Sequence, residues 1–186
     1  MKYMPDELPD DLKEQLLLWR STLNGYIDCI IKDENEAAFL KNILVLWIGE
    51  KRQRSALLGE HLLPSDAYPD GAILLHVDAI ASSAHAVGSR MDALMAATLF
   101  HEIAHWYTIE SKGDNYQLTD KDEQRADTVS RGHCRKLHKR NLISSLPPDL
   151  NGDKDVTMSF LLWLQKWTKM TPQQWEEYMA GYGNNT

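Results

Sequence analysis

The sequence predicts a single α+β domain dominated by helices, and three observations lead there. Apolar residues recur at three- and four-residue spacing over most of the chain. One run, "AILLHVDAI" (72–80), is short, apolar and bounded by Gly71, as a strand is. A chain of 186 residues with 43% hydrophobic content can bury one proper core, and no repeat, low-complexity tract or long linker divides it. Three regions are expected within residues 1–186: a helical region over 1–60, a core over 61–143 and a second helical region over 144–186.

From Pro9 to about Ile31, Leu12, Leu16, Trp19, Leu23, Tyr26, Ile27 and Ile30 keep helical spacing. A second helix is expected from about Asp33 to Leu58, with Phe39, Leu40, Ile43, Leu44, Trp47 and Ile48 on its apolar side. The two would form an N-terminal helical hairpin. "LLPSDAYPDG" (62–71) carries turn residues and reads as a loop. In the strand at 72–80, Ile73, Leu75 and Val77 would share a face, and further short strands fit within 59–89. Ser89 is placed to cap a helix from Arg90 to about Ser111, with Asp92 near its start. "KGDN" (112–115) breaks it. Thr119 with Asp122 forms the next cap, opening a helix from about Asp120 to Arg140. A loop over 144–155, an apolar helix "VTMSFLLWLQKW" and a short helix opened by Thr171-Pro172 complete the chain. "DLNGDKDVTMSF" has alternate Asp and Asn residues but lacks the glycine and glutamate of a calcium loop, so it reads as a polar turn. Trp163, Trp167 and Trp175 read as core or interface residues.

Charged residues are 25% of the chain, which does not indicate disorder. The net charge of −7 argues against general nucleic-acid or anionic-membrane binding. Cys29 and Cys134 are far apart and form no CxxC, as expected of reduced thiols. The opening "MKYMPDELPDD" has no apolar signal-peptide core, and no apolar run approaches the roughly 20 residues of a membrane span. A soluble, cytoplasmic protein is expected. Nothing in the sequence speaks to its oligomeric state.

The chemistry is concentrated in "TLFHEIAHW" (98–106). At about 100° per residue, His101 and His105 lie about 40° apart and one turn from each other. Both imidazoles can reach one point, as a metal requires. Glu102 lies about 100° to one side, out of reach as a third ligand and well placed to touch a metal-held water. The competing reading is a buried helix with two satisfied histidines, so the third ligand matters. HExxHxxGxxH is absent, since Thr108 and Ser111 occupy its glycine and histidine positions. Glu110 points elsewhere, about 140° from His105. Glu123 stands in the first turn of the next helix, and Asp127 follows at i+4 on the same face. Glu123 is the candidate third ligand, and Asp127 the carboxylate that would accept the free N–H of a ligand histidine. The competing reading is a solvated acidic face. His133 and His138 lie about 15 and 22 Å along the helix from Glu123, so one ion cannot use both ends. His138, in "RKLHKR", suits the negative end of the helix dipole.

"HEIAH" followed by "EQRAD" resembles the gluzincin metallopeptidases, and the E-x-x-A-D form is most similar to the ImmA/IrrE-type metallopeptidases. The resemblance covers about Ala72 to Arg140, and its specific part is residues 98–130. It implies a zincin-like fold: a small sheet packed on the HExxH helix and the Glu-bearing helix, beside the N-terminal hairpin. It implies a zinc metalloendopeptidase holding Zn²⁺ through His101, His105 and Glu123, with Glu102 as general base, Asp127 behind a ligand and a polypeptide substrate. Tyr116, between the two motif helices, is the first candidate for the oxyanion donor, with His133 and His76 after it. The strand at 72–80 resembles the substrate-aligning edge strand of such enzymes. Two alternatives stay open. One is a catalytically silent or autoinhibited regulatory protein with the N-terminal region over its cleft. The other is a SprT-like, nucleic-acid-associated protease with a later histidine as third ligand.

Overall fold

The computed structural model describes residues 10–48 and 58–147. The expected helices after residue 155, the calcium-like turn, the three C-terminal tryptophans and the distal part of the second helix lie outside the described residues.

Helix α1 spans Asp10–Ile30 and buries Leu16, Leu23, Tyr26 and Ile27, the stripe its spacing predicts. Asp33 then caps α2, Glu34–Ile43, its carboxylate accepting the Glu36 N–H at 2.9 Å. The two helices pack together, with Lys41 paired to Asp28 at 2.7 Å. The long second helix ends early, however. At Leu44 the backbone becomes extended, and Leu44–Trp47 is strand β1. "ILVLWI" is apolar throughout, so it fits a helical stripe and a buried strand equally well. Pairing with a distant strand decides between them.

That strand is β3, Ala72–His76, which lies between β1 and β2 (Gly59–Leu62). β1 runs parallel to it, in register Leu44 with Ile73, and β2 antiparallel, Gly59 with Leu75 and His61 with Ile73. A central strand is covered on both faces, which is why Ala72, Ile73, Leu74 and Leu75 are all buried without alternation. The expected continuation to residue 80 does not occur. Val77 opens helix α3, Val77–Ala86. The strand at 72–80 is therefore shorter than predicted and central among the described strands, and the edge near α4 belongs to β2.

Helix α4, Met91–Lys112, contacts α1, α3, α5, β2 and β3. Its buried residues face every direction, from Ala93, Leu94 and Met95 to Leu99, Phe100 and Ile103, as in a central core helix. Its N-cap is Arg90, not Ser89, and neither offers a side-chain cap; the Ser89 hydroxyl turns instead to the Arg90 carbonyl. Asp92 receives the backbone N–H and hydroxyl of Ser144, which ties the end of the described chain over the start of α4. Gly113, at φ 97°, ends the helix. Helix α5, Asp120–Lys139, opens on the predicted capping box between Thr119 and Asp122.

β2 and α4 approach each other closely. A Cβ on Gly59 would fall 2.7 Å from Thr98 Cγ2 and 2.8 Å from Glu102 Cγ, so only glycine lets the strand lie this near. The sheet packs on α4, while α5 packs on the other side of α4 and against α1. Cys29 and Cys134 are free thiols, and burial pushes Cys134 up to about 12. No helix among the described residues is long and apolar enough to cross a membrane.

Phe100 is fully buried and stacks on the His133 ring, centroids 4.9 Å apart. Phe100→Ala should cost about 3–5 kcal/mol in urea unfolding. A loss under about 1 kcal/mol would contradict its central position in the core.

Candidate metal centre

The site forms where α4 and α5 cross as an antiparallel pair. Contacts descend one helix as they climb the other: His105 with Glu123, His101 with Asp127, and the Ala97 carbonyl accepting from Ser130. Ala126, 1% exposed, is small enough to let the helices close at this level. The heptad-like spacing of Glu123, Asp127 and Ser130 points all three toward α4.

The His101 and His105 Nε2 atoms lie 2.9 Å apart. Glu123 brings one oxygen to within 3.2 Å of His101 Nε2 and the other to within 3.2 Å of His105 Nε2. A tetrahedral ion with metal–nitrogen distances near 2.0–2.1 Å separates its ligand atoms by about 3.3 Å. The three side chains thus already form a triangle of the right size, with their donor atoms all within 4.8 Å of one another. Among the described residues no fourth His, Cys, Asp or Glu joins them, so an ion held there would take three protein ligands from them.

The surroundings match. His101 Nδ1–H donates to Asp127 Oδ1 at 3.0 Å, turning Nε2 toward the other two donors. His105 is 3% exposed and its Nδ1 has no hydrogen-bond partner. Its only polar contacts are made through Nε2, toward the triangle. Leaving Nδ1 unpaired costs about 1–3 kcal/mol. These donors, two imidazoles and a carboxylate, suit a divalent ion such as zinc. Without one, the cluster gathers a proton. Burial lowers the His101 pKa, but hydrogen bonds to Asp127 and Glu123 and the charges of Glu102 and Asp127 outweigh it, raising it to about 10. Hydrogen bonds from His101 and His105 hold Glu123 well below the usual carboxylate range, against the opposing effect of burial. Three carboxylates around two imidazoles leave this spot in need of positive charge.

Glu102 is 7% exposed and faces β2, beside the triangle and outside it, as its angular offset predicts. His61 of β2 is the basic side chain that meets it, Nδ1 lying 3.8 Å from Glu102 Oε2, with its ring 5.6 Å from that of His105. Sequence reasoning missed His61. Its signal was the pair Gly59 and His61, alternate residues that a strand puts on one face.

The remaining candidates are elsewhere. The Tyr116 hydroxyl donates to Asp122 at 2.9 Å within the α5 cap, and that bond raises its pKa. His76 donates to Glu60 at 2.8 Å on the face of the sheet turned away from α4. His133 packs on Phe100, with Nδ1 buried and without a partner, and burial lowers its pKa. His138 donates to the Ile143 carbonyl at 3.3 Å. Neither His133 nor His138 belongs to the three-residue group. Searches of family models, curated proteins and solved structures return no match to this chain.

Asp127→Ala should weaken zinc binding about 10- to 100-fold, read by competition with a chromogenic chelator. Unchanged affinity would deny Asp127 its part in orienting His101. In zinc-free protein, His101 binds its proton more tightly folded than unfolded. That stabilisation is complete below its ordinary value of 6.5 and disappears as pH rises through about 10. The melting temperature of chelator-treated protein should therefore fall across this window, and His101→Gln should flatten the decline. A wild-type profile already flat there would contradict the assignment.

Proposed function

We propose that this chain is a zinc-dependent metallopeptidase of gluzincin type that cleaves peptide bonds with Glu102 as general base. The observation that carries the proposal is the convergence of His101, His105 and Glu123 on one point, with Asp127 behind His101 and Glu102 beside the open position. Three protein ligands with an open fourth position is a catalytic rather than a structural arrangement. The HExxH…ExxAD pattern resembles the ImmA/IrrE-type metallopeptidases, and the small sheet against α4 accords with a zincin-like fold.

His101, His105 and Glu123 would hold the zinc, which when bound would supply the Lewis acidity that activates water and polarises a carbonyl. Asp127 holds the His101 ring in the tautomer that offers Nε2. Glu102 takes a proton from the attacking water and returns it to the departing amine nitrogen, so the base ends as it began. Its near-complete burial sharpens this role by limiting competition from bulk water. β2 has one edge unpaired among the described strands, and it lies beside Glu102, so it takes over the substrate-aligning role expected of 72–80. An extended peptide adding there would bring its backbone past the open position. Tyr116 serves as oxyanion donor only after its bond to Asp122 opens.

The purified protein should carry zinc in a 1:1 ratio. Glu102→Gln should keep that zinc while hydrolysis of a denatured protein falls about 100- to 10,000-fold. Protein without stoichiometric metal, or a Glu102→Gln variant as active as wild type, would refute the proposal.

A further inference from the structure

Glu102 is a buried carboxylate that one short strand, β2, approaches closely. Gly59 lies against its Cγ, so close that no side chain fits between them. Two residues on, His61 meets its carboxylate. Both project toward α4, because Gly59 pairs with Leu75 and His61 with Ile73 on one face of the sheet. On the other face, His76 donates to Glu60 at 2.8 Å and ties β2 to the central strand. The strand is pinned from behind and touches the base from in front.

We propose that β2 aims the general base, and that His61 is a positioning residue whose ring N–H holds one oxygen of Glu102 while the other is left for water. The inference rests on the peptidase reading of the site. Among the described residues His61 is the basic side chain within ion-pair distance of Glu102, at 3.8 Å, with side-chain exposures of 18% and 10%. That gap is longer than a hydrogen bond. A small turn of either side chain closes it, and such contacts commonly tighten when substrate binds. His61 is outside the ligand triangle, so its contribution runs through Glu102 and not through metal binding. The proton balance is simple. The water O–H breaks as the Glu102 carboxyl O–H forms, and the same proton then goes to the amine nitrogen. His61 keeps its own proton throughout.

The test compares His61→Phe, which fills the space without a donor, with His61→Gln, which restores one. With a fluorescence-quenched denatured protein as substrate, His61→Phe should lower kcat about 10- to 100-fold, with KM and zinc stoichiometry held, and His61→Gln should regain part of the loss. A second measurement needs no activity. In zinc-free protein, His61→Phe should shift the unfolding midpoint less in a Glu102→Met background than in wild type. Equal shifts in the two backgrounds would overturn the pairing. So would an active wild type whose His61→Phe variant keeps its kcat, or loses zinc together with activity, and the peptidase reading would survive either result. If zinc-loaded wild type cleaves nothing, the peptidase reading fails, and the midpoint shifts alone decide whether His61 holds Glu102.

Discussion

Burying most of α4 leaves few of its polar groups without a partner in the elements that enclose it. Thr98 and Thr108 turn back to the helix, donating to the Leu94 and Ala104 carbonyls. Tyr107 donates to Glu36 of α2. The Ala97 carbonyl receives Ser130 of α5. His101, Glu102 and His105 cannot be satisfied locally, since helix interiors offer no free donors. They are met by α5 on one side and β2 on the other. The positions of both elements follow from this need as much as from apolar packing, and the carboxylates cluster where the imidazoles emerge.

The cost falls on stability. Charged groups that are partly withdrawn from water require partners of opposite sign. The pairs here leave an excess of negative charge, and His105 keeps one ring nitrogen unsatisfied. A core selected for folding alone would carry apolar residues at these positions. Such local inconsistency is where function is expected to sit.

What could be read from the sequence follows the range of the forces involved. The α5 cap, a contact between Thr119 and Asp122, was legible because it is local. So were the placements of His101, His105, Glu123 and Asp127, since one helical period decides which residues share a face. The α2 boundary at Ile43 was not legible, because the following apolar run takes its form from the distant β3. Val77 opens α3 instead of extending β3, and the apolar run through it carries no local mark of that change. His61 escaped notice because its importance arises only once β2 pairs with β3 and lies on α4. Tyr116 shows the opposite case, a local contact that the spacing of the motifs did not reveal. Its nearest acceptor, Asp122, lies within the same turn of chain and claims its hydroxyl.

The antiparallel crossing of α4 and α5 has a bearing on how the chain reaches its folded state. His101 reaches Glu123 across 22 positions of sequence and Asp127 across 26, whereas the Tyr26 hydroxyl reaches the Leu142 carbonyl across 116. Closing the short connection between two helices loses little chain entropy, and contacts of that kind form fast. The donor triangle therefore belongs to a unit able to assemble before α1 and the sheet settle around it. If the site takes a metal as proposed, an ion bound there would clip the two helices into register.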